Sequence, residues 1–363
     1  MANNFCRFLS NGYRIKTEGT KLVYQPCCWY SKEIDLIDNP NFDQEKQRIS
    51  EITGWVSECA SCKYIEDSGA YGVKSPRMRS FDEIPDELIP DNVPAWMELS
   101  IDTTCNAACV MCGPWHSTTW RKQEIKFKIK NRDDLPTLVD PMHWLDVIKE
   151  KFTLQYVKRV HFLGGEPFQS PIPLEFLKLL KSTHGSLADV VAHFQTNCSI
   201  KPSDELLVLL SECANVRFGL SIDAVGERFE YHRYPLKWQR VQETADYLKN
   251  LKIKKIIHCS ATLTPLSAWY YDEFEDWVES MFGEQIMKNA KPNISIGNVA
   301  LAHTPYPLRH EIFKKFGAEH PVSRLLAKLG WQDSRQFVQY MDQLDLYRKT
   351  NWRSAFPEAA KFL

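Results

Sequence analysis

The sequence predicts an α/β protein built on a parallel sheet that curves without closing. Six strand-like runs alternate with helix-like runs between residues 96 and 299, the order that gives parallel strands joined by right-handed helical crossovers. Several of these runs alternate apolar and polar residues, which a strand covered by helices on both faces would not do. No internal repeat or low-complexity tract competes with this architecture.

The strand-like runs are 96–102, 157–163, 189–196, 216–223, 254–262 and 293–299. Helical patterns lie near 142–153, 173–184, 203–213, 237–251 and 272–287. In the first strand Met97, Leu99 and Ile101 oppose Glu98, Ser100 and Asp102. In the third, Ala192 and Phe194 oppose His193, Gln195 and Asn197; in the fourth, Phe218, Leu220 and Ile222 oppose Arg217, Ser221 and Asp223. A curved sheet with helices outside and a polar lumen inside reconciles both sets, with the polar set facing inward. An incompletely closed barrel has such a lumen, whereas a complete eight-stranded barrel fills its centre with apolar layers.

Residues 83–95 (EIPDELIPDNVPA) carry three prolines and four acids and interrupt any periodic pattern. They divide the chain into a Cys-rich lobe at 1–82 with few regular elements, a linker at 83–95, a barrel at 96–303 and a helical extension at 304–363. Net charge is −1, from 45 basic and 46 acidic residues, so nothing points to nucleic acid or an anionic membrane. The first residues lack the apolar run of a signal peptide, and no stretch has the ~20 apolar residues of a membrane span. A cytoplasmic protein is expected.

Eleven cysteines are many for a reducing compartment, and their clustering points to metal ligation rather than crosslinks. Directly after the first strand comes Asp102-Thr-Thr-Cys105-Asn-Ala-Ala-Cys109-Val-Met-Cys112, a Cys-x3-Cys-x2-Cys triplet where parallel folds place their chemistry. Three thiolates leave one iron of a four-iron cluster open. Zinc is the plain alternative, with His116 as a possible fourth ligand. The second strand ends in Leu163-Gly164-Gly165-Glu166-Pro167. Its glycines admit close approach to the backbone, and its carboxylate can receive a cationic amine.

On the triplet and the Gly-Gly-Glu-Pro segment together, the chain resembles the radical S-adenosylmethionine (SAM) superfamily. The resemblance implies a partial (β/α)6 TIM-like barrel and a [4Fe–4S] cluster on Cys105, Cys109 and Cys112. SAM would bind the open iron through its amino and carboxylate groups and be cleaved reductively to a 5′-deoxyadenosyl radical. The segment Gly164, Gly165, Glu166 and Pro167 would hold the SAM amino group. By the same resemblance, Ser221 and Asp223 sit where SAM ribose or carboxylate is contacted, and Arg233 where a carboxylate-binding Arg is placed. Asn197 matches a TNG-like segment, with Cys198 where Gly is common, and Met111 fills a slot near adenine that is usually aromatic. Each polar residue has a plain alternative as an interior hydrogen-bonding group.

The N-terminal segment reads Cys6, Gly19, Pro26-Cys27-Cys28, then Trp55-x3-Cys59-x2-Cys62. Four separated cysteine positions can close a zinc or an Fe–S site, and either would supply folding free energy to a short lobe. The order is similar to SPASM/twitch auxiliary-cluster domains, in the one-cluster twitch form, although it precedes the barrel and its Gly-to-Cys gap is longer. This resemblance implies an auxiliary [4Fe–4S] cluster on Cys6, Cys27, Cys59 and Cys62, with zinc as the alternative metal. Cys28 can replace Cys27, since adjacent residues do not easily both reach one small cluster.

Cys198 and Cys259 lie near strand C-terminal ends, where a thiol can give a hydrogen atom to a substrate radical; a buried small apolar role is the alternative. Cys213 reads as core, and His161, His193 and His258 are candidate lumen acid–base groups. The two resemblances imply radical modification of a peptide or protein (crosslinking, oxidation or epimerisation), with flavodoxin or ferredoxin as electron donor. The alternatives are a small-molecule substrate such as a nucleoside, sugar or amino acid, and a non-catalytic Fe–S or zinc module for redox sensing or binding.

Overall fold

Short alternating runs ended by turns become strands because one side-chain set can be buried while the other faces polar space. The computed structural model describes residues 5–68, 74–84, 89–135 and 137–363. In chain order the strands are β1 (Gly12–Glu18), β2 (Lys21–Gln25), β3 (Ile34–Asp35), β4 (Trp96–Ser100), β5 (Arg159–Phe162), β6 (Val191–Thr196), β7 (Asn215–Ser221), β8 (Lys255–Leu263) and β9 (Lys291–Ile294). They form one sheet in the order β3-β2-β1-β4-β5-β6-β7-β8-β9. β1 and β4 to β9 run parallel, whereas β2 is antiparallel to both of its neighbours.

Helices α1 (Arg7–Asn11), α2 (Phe42–Ser50), α3 (Ala60–Ser68) and α4 (Pro76–Glu83) precede β4. Between β4 and β5 come α5 (Thr118–Lys126) and α6 (Pro141–Lys151); α7 (Ile172–His184) follows β5 and α8 (Asp204–Glu212) follows β6. α9 (Gly226–His232) and α10 (Trp238–Asn250) follow β7, and α11 (Tyr271–Phe282) and α12 (Glu284–Asn289) follow β8. The chain then runs through α13 (Tyr306–Phe316), α14 (Pro321–Lys328), α15 (Ser334–Arg348), α16 (Trp352–Ala355) and α17 (Pro357–Ala360). No helix among the described residues is long and apolar enough to cross a membrane.

β4 to β9 are the six strands expected, and the parallel sheet with outer helices is the architecture of a partial barrel. Met97, Leu99, Val160, Phe162, Ala192, Phe194, Val216, Phe218 and Leu220 are all buried. The rings of Phe162 and Phe194 stack at 5.1 Å and those of Phe194 and Phe218 at 6.0 Å. Each such phenylalanine contributes about 1.5–3 kcal/mol by leaving water. The opposite parity is polar, with Glu98, His161, His193 and Arg217 opposite one another in register. Side chains two strands apart meet on this face. His193 on β6 lies 5.1 Å from His258 on β8, and Gln195 Nε2 is 3.3 Å from Ser260 Oγ. Flat strands would hold these positions roughly 10 Å apart, so the polar face is the concave one.

Three expectations are corrected. The segment 1–82, expected to hold few regular elements, contains a hairpin and four helices. Its hairpin turns on Gly19 at φ +63, and β1 then pairs with β4, joining the Cys-rich segment to the barrel sheet. The strand placed at 293–299 ends at Ile294 and continues as a short helical turn at Gly297–Val299, where Gly297 takes φ +67. The single helix expected at 272–287 is divided by Gly283 at φ +90. The linker at 83–95 starts on the last residue of α4, and its residues 85–88 lie outside the described residues.

Candidate active site

β4 ends at Ser100, and the chain turns on Asp102, whose Oδ1 accepts the Thr104 N–H at 2.8 Å. The start of α5 holds the first half of the triplet loop in place. Thr118 Oγ1 accepts the Cys105 N–H at 3.1 Å, Thr119 Oγ1 donates to the Cys105 carbonyl at 2.6 Å, and Ser117 Oγ donates to the Ala107 carbonyl. The thiols of the triplet are near enough to influence one another, Cys105 feeling Cys109 and Cys112 feeling both. Burial first, and then the neighbouring Cys109, push Cys105 and Cys112 up to about 12. Burial raises Cys109 too, and the Arg233 guanidinium, whose Nη1 lies 3.9 Å from its Sγ, pulls it back. Among the described residues no three His, Cys, Asp or Glu side chains close on a single ion. A four-iron cluster asks for something else, thiolates spread over separate irons. His116, the possible zinc ligand, has Lys16, Glu18 and Arg14 as the charged groups that act on it, and none of the three thiols is among them.

The Gly164–Pro167 loop is fused to this turn. Gly165 N–H donates to the Asp102 carbonyl at 2.9 Å, and Glu166 N–H to the Thr104 carbonyl at 2.8 Å. A Cβ on Gly165 would lie far inside contact distance of the Thr104 carbonyl, and one on Gly164, at φ +114, would strike the Asp102 carbonyl. Glu166 is 1% exposed and turned inward. Its carboxylate accepts Thr196 Oγ1 and the Asn197 N–H, both at 2.7 Å, and the Phe168 N–H at 3.3 Å. Asn197 Nδ2 in turn donates to Asn106 Oδ1 at 2.9 Å, inside the triplet loop. The ends of β4, β5 and β6 are thereby wired together, with the Glu166 carboxylate as the hub rather than as an exposed amine receptor.

Burial raises Glu166 to about 7 from 4.5. The folded state therefore holds this proton more tightly than the unfolded chain does, and the resulting stability is complete below pH 4.5 and lost as pH rises through 7. Comparing urea unfolding of wild type and Glu166→Gln across that window should show the wild-type advantage shrinking by on the order of 3 kcal/mol. A flat difference would contradict the buried-carboxyl assignment.

At the end of β7, Asp223 Oδ1 accepts the Thr262 N–H at 2.8 Å and Oδ2 pairs with Arg233 Nε at 2.8 Å, both residues being buried. Burial would lower Arg233, but the charge and hydrogen bond of Asp223, together with Cys109 and Cys105, outweigh it and raise it. Ser221 Oγ accepts Gln195 Nε2 at 2.7 Å, and Met111 is half-buried beside the triplet. The head of the sheet thus brings together the triplet, residues 164–167, Asn197, Asp223 and Arg233.

Two expectations fail here. Cys198 directs its thiol to the Val241 carbonyl on α10 at 3.7 Å and is fully buried. Cys259 shares parity with Ile257 and Ala261 and is buried beneath the outer helices. Neither thiol faces the lumen, so neither is placed to give a hydrogen atom to a substrate there.

The five cysteines of the N-terminal segment lie near the foot of the sheet, where β1 begins and β2 ends, while Cys213 is buried at the end of α8. Cys6 lies just before α1, and the buried amino group of Lys46 holds that helix by donating to the Leu9 and Ser10 carbonyls at 2.9 and 2.7 Å. Burial raises the thiols of Cys6, Cys27, Cys59 and Cys62; Cys6 also feels Cys62, Cys59 feels Cys6 and Cys62, and Cys27 feels its neighbour Cys28 and then Cys6 and Cys62. Arg77, stacked over Phe5 and Trp55, adds a cation beside Cys6 and Cys62. Cys28 differs. It is exposed, unlike Cys27, and the charges around it are those of Glu98, Arg14 and Arg79.

Between head and foot lies a layer that the motifs did not reveal. Arg14 Nε donates to Glu98 Oε1 at 2.6 Å, Glu98 Oε2 lies 3.5 Å from His161 Nδ1, and the His161 ring stacks on His193 at 3.9 Å. Burial alone would raise Glu98, yet His161 and Arg14 hold it below the ordinary carboxylate range. Burial lowers His258 to about 4 and His193 well below its usual value, so both are neutral. Beside the triplet loop, a cavity of about 120 Å³ is lined by Thr17, Asp102, Thr104, Trp115, Thr118 and Trp144. Asp102 Oδ2 is buried without a partner at its edge.

The sequence profile of the radical SAM superfamily matches residues 99–281, the span from β4 to α11 that carries every element of this head. The chain belongs to the radical SAM superfamily. Solved structures similar to it include native anSMEcpe with bound AdoMet, at 16% identity and TM-score 0.41 over 61% of this chain and 59% of that one. Streptococcus suis SuiB bound to precursor peptide SuiA is 14% identical, with TM-score 0.37 over 83% and 64% of the two chains. SuiB bound to S-adenosylmethionine is 12% identical, with TM-score 0.37 over 84% and 64%. The alignment thus spans under two thirds of each of these structures. No curated protein matches the chain. Radical SAM membership implies a four-iron cluster and SAM. The residues present fit such a pair, with three neighbouring thiols on one loop, a glycine pair fused to that loop and an unpartnered carboxylate oxygen of Asp102 beside them.

Proposed function

We propose that this radical SAM protein modifies a peptide or protein substrate by crosslinking, oxidation or epimerisation after hydrogen abstraction, and that its cluster at the foot serves electron transfer. Cys105, Cys109 and Cys112 would hold the SAM-binding cluster, leaving one iron for SAM. Residues 164–167 would offer backbone groups to the SAM amine, while Asn197, Ser221, Asp223, Arg233 and Met111 would surround the rest of the cofactor. Bound together, the cluster and SAM supply the 5′-deoxyadenosyl radical. The chain's own work is to fix the loop geometry, keep water from the head of the sheet and present the lumen beneath it to substrate.

The observation that supports the auxiliary-cluster reading is that Cys6, Cys27 and Cys59 each feel Cys62, and Cys27 and Cys59 also feel Cys6, while Cys27 is buried and Cys28 is exposed near Glu98 and Arg14. This favours Cys27 over Cys28 as ligand. The hairpin between Cys6 and Cys27, its Gly19 turn and the later Cys-x2-Cys follow the twitch order, and that order supports a peptide substrate. Anaerobic reconstitution should give about eight irons per chain, and dithionite with SAM should release 5′-deoxyadenosine. Four irons with bound zinc would overturn the auxiliary cluster alone. Absence of 5′-deoxyadenosine would overturn the catalytic reading.

A further inference from the structure

The middle of the triplet loop is held from outside the segment that matches the superfamily. Three successive carbonyls flank or belong to Cys109, and each accepts from one side chain. Arg348 Nη2 donates to Ala108 O at 2.7 Å, Trp120 Nε1 to Cys109 O at 2.7 Å and Tyr340 OH to Val110 O at 3.3 Å. The matching amides are also taken, Ala108 N–H by Tyr234 O at 2.6 Å and Val110 N–H by His232 O at 2.8 Å. Two of the three carbonyl donors, Arg348 and Tyr340, belong to α15.

Arg348 is the unusual member. It is 7% exposed, and its guanidinium lies over the rings of Trp120 and Tyr234 at 4.8 and 4.9 Å. Nε reaches the neutral Gln123 Oε1 at 3.3 Å, and Nη1 is buried without a partner. Among the described residues no carboxylate pairs with it. A buried cation without a counter-charge is costly. The anion-forming groups that act on it are Tyr340, Tyr231, Cys109 and Tyr234, and of these only Cys109 belongs to a triplet that would carry negative charge as cluster thiolates.

We propose that Arg348, from the C-terminal helix, is a positioning residue that holds the Cys109 segment and sets the reduction potential of the cluster there, making reduction easier. The inference rests on the cluster reading above. An electron added to an anionic cluster is stabilised by a nearby cation, most strongly where water is excluded.

The test uses the full chain, reconstituted anaerobically with iron and sulfide, and follows by redox titration the electron paramagnetic resonance signal that changes when SAM is added. Arg348→Gln keeps an N–H for Ala108 O but loses the charge, and its potential should move to a more negative value than wild type. Arg348→Lys retains the charge, and Tyr340→Phe loses only a hydrogen bond, so both should stay near the wild-type potential. An unmoved potential in Arg348→Gln, or equal shifts in Gln and Lys, would overturn the inference. Should Arg348→Gln not retain iron, Arg348→Lys decides, since a shifted potential there overturns it. Wild type without any SAM-responsive signal would remove the cluster reading itself, and this inference with it.

Discussion

Replacing Cys105, Cys109 and Cys112 together by alanine is expected to reduce 5′-deoxyadenosine release to background and to lower iron by about four atoms per chain. The triplet loop is held by hydroxyls of α5, by α15 and by the Gly164–Pro167 loop. Losing the thiols therefore leaves the scaffold standing, and circular dichroism should be preserved. The informative contrast is Cys59→Ala with Cys62→Ala, which touches only the foot of the sheet. That pair should also lose about four irons while retaining reductive cleavage of SAM. Equal loss of cleavage in both variants would mean that the two cysteine sets do not act as separate sites.

Gly165→Ala should be nearly as damaging, although it removes no ligand. The added methyl would be driven into the Thr104 carbonyl, and the nearest atoms are backbone, which cannot rotate away. Either the two loops part, breaking the Gly165-to-Asp102 and Glu166-to-Thr104 hydrogen bonds, or the strain stays in place. Overpacking of this kind costs about 1–3 kcal/mol, and the upper end applies where the neighbour is rigid backbone. The expected result is a lowered midpoint of thermal unfolding together with poor iron retention, both measured on protein reconstituted in parallel with wild type. A variant with wild-type stability and full iron would show that the loops can separate at little cost.

The head of the sheet was largely legible because its signals are local. A cysteine triplet, two glycines and a period-two alternation each announce themselves within a few residues. The same alternation also carried the answer for Cys259, whose parity with Ile257 and Ala261 places it under the helices; reading position along the strand without parity hid this. What sequence could not supply was long-range. β1 pairs Gly12 with Trp96, and its charged residues Arg14, Lys16 and Glu18 read as a solvated run until a lumen is known to stand beside them. Arg348 reaches Ala108 from a segment without any motif, and an isolated arginine has no spacing to betray it. The Glu98–His161 contact depends on which strands are neighbours, information that belongs to the sheet order and not to either strand.

The parallel seam between β1 and β4 also bears on how the protein can be cut. Removing the residues up to β2 would strip β4 of one of its two partners and leave a row of unpaired amides and carbonyls along one edge of the strand that leads into Cys105, an invitation to aggregation. A shortened chain beginning near residue 95 should therefore be poorly soluble even though it retains the whole span matched by the superfamily profile, because that span borrows its first edge from the cysteine-rich segment.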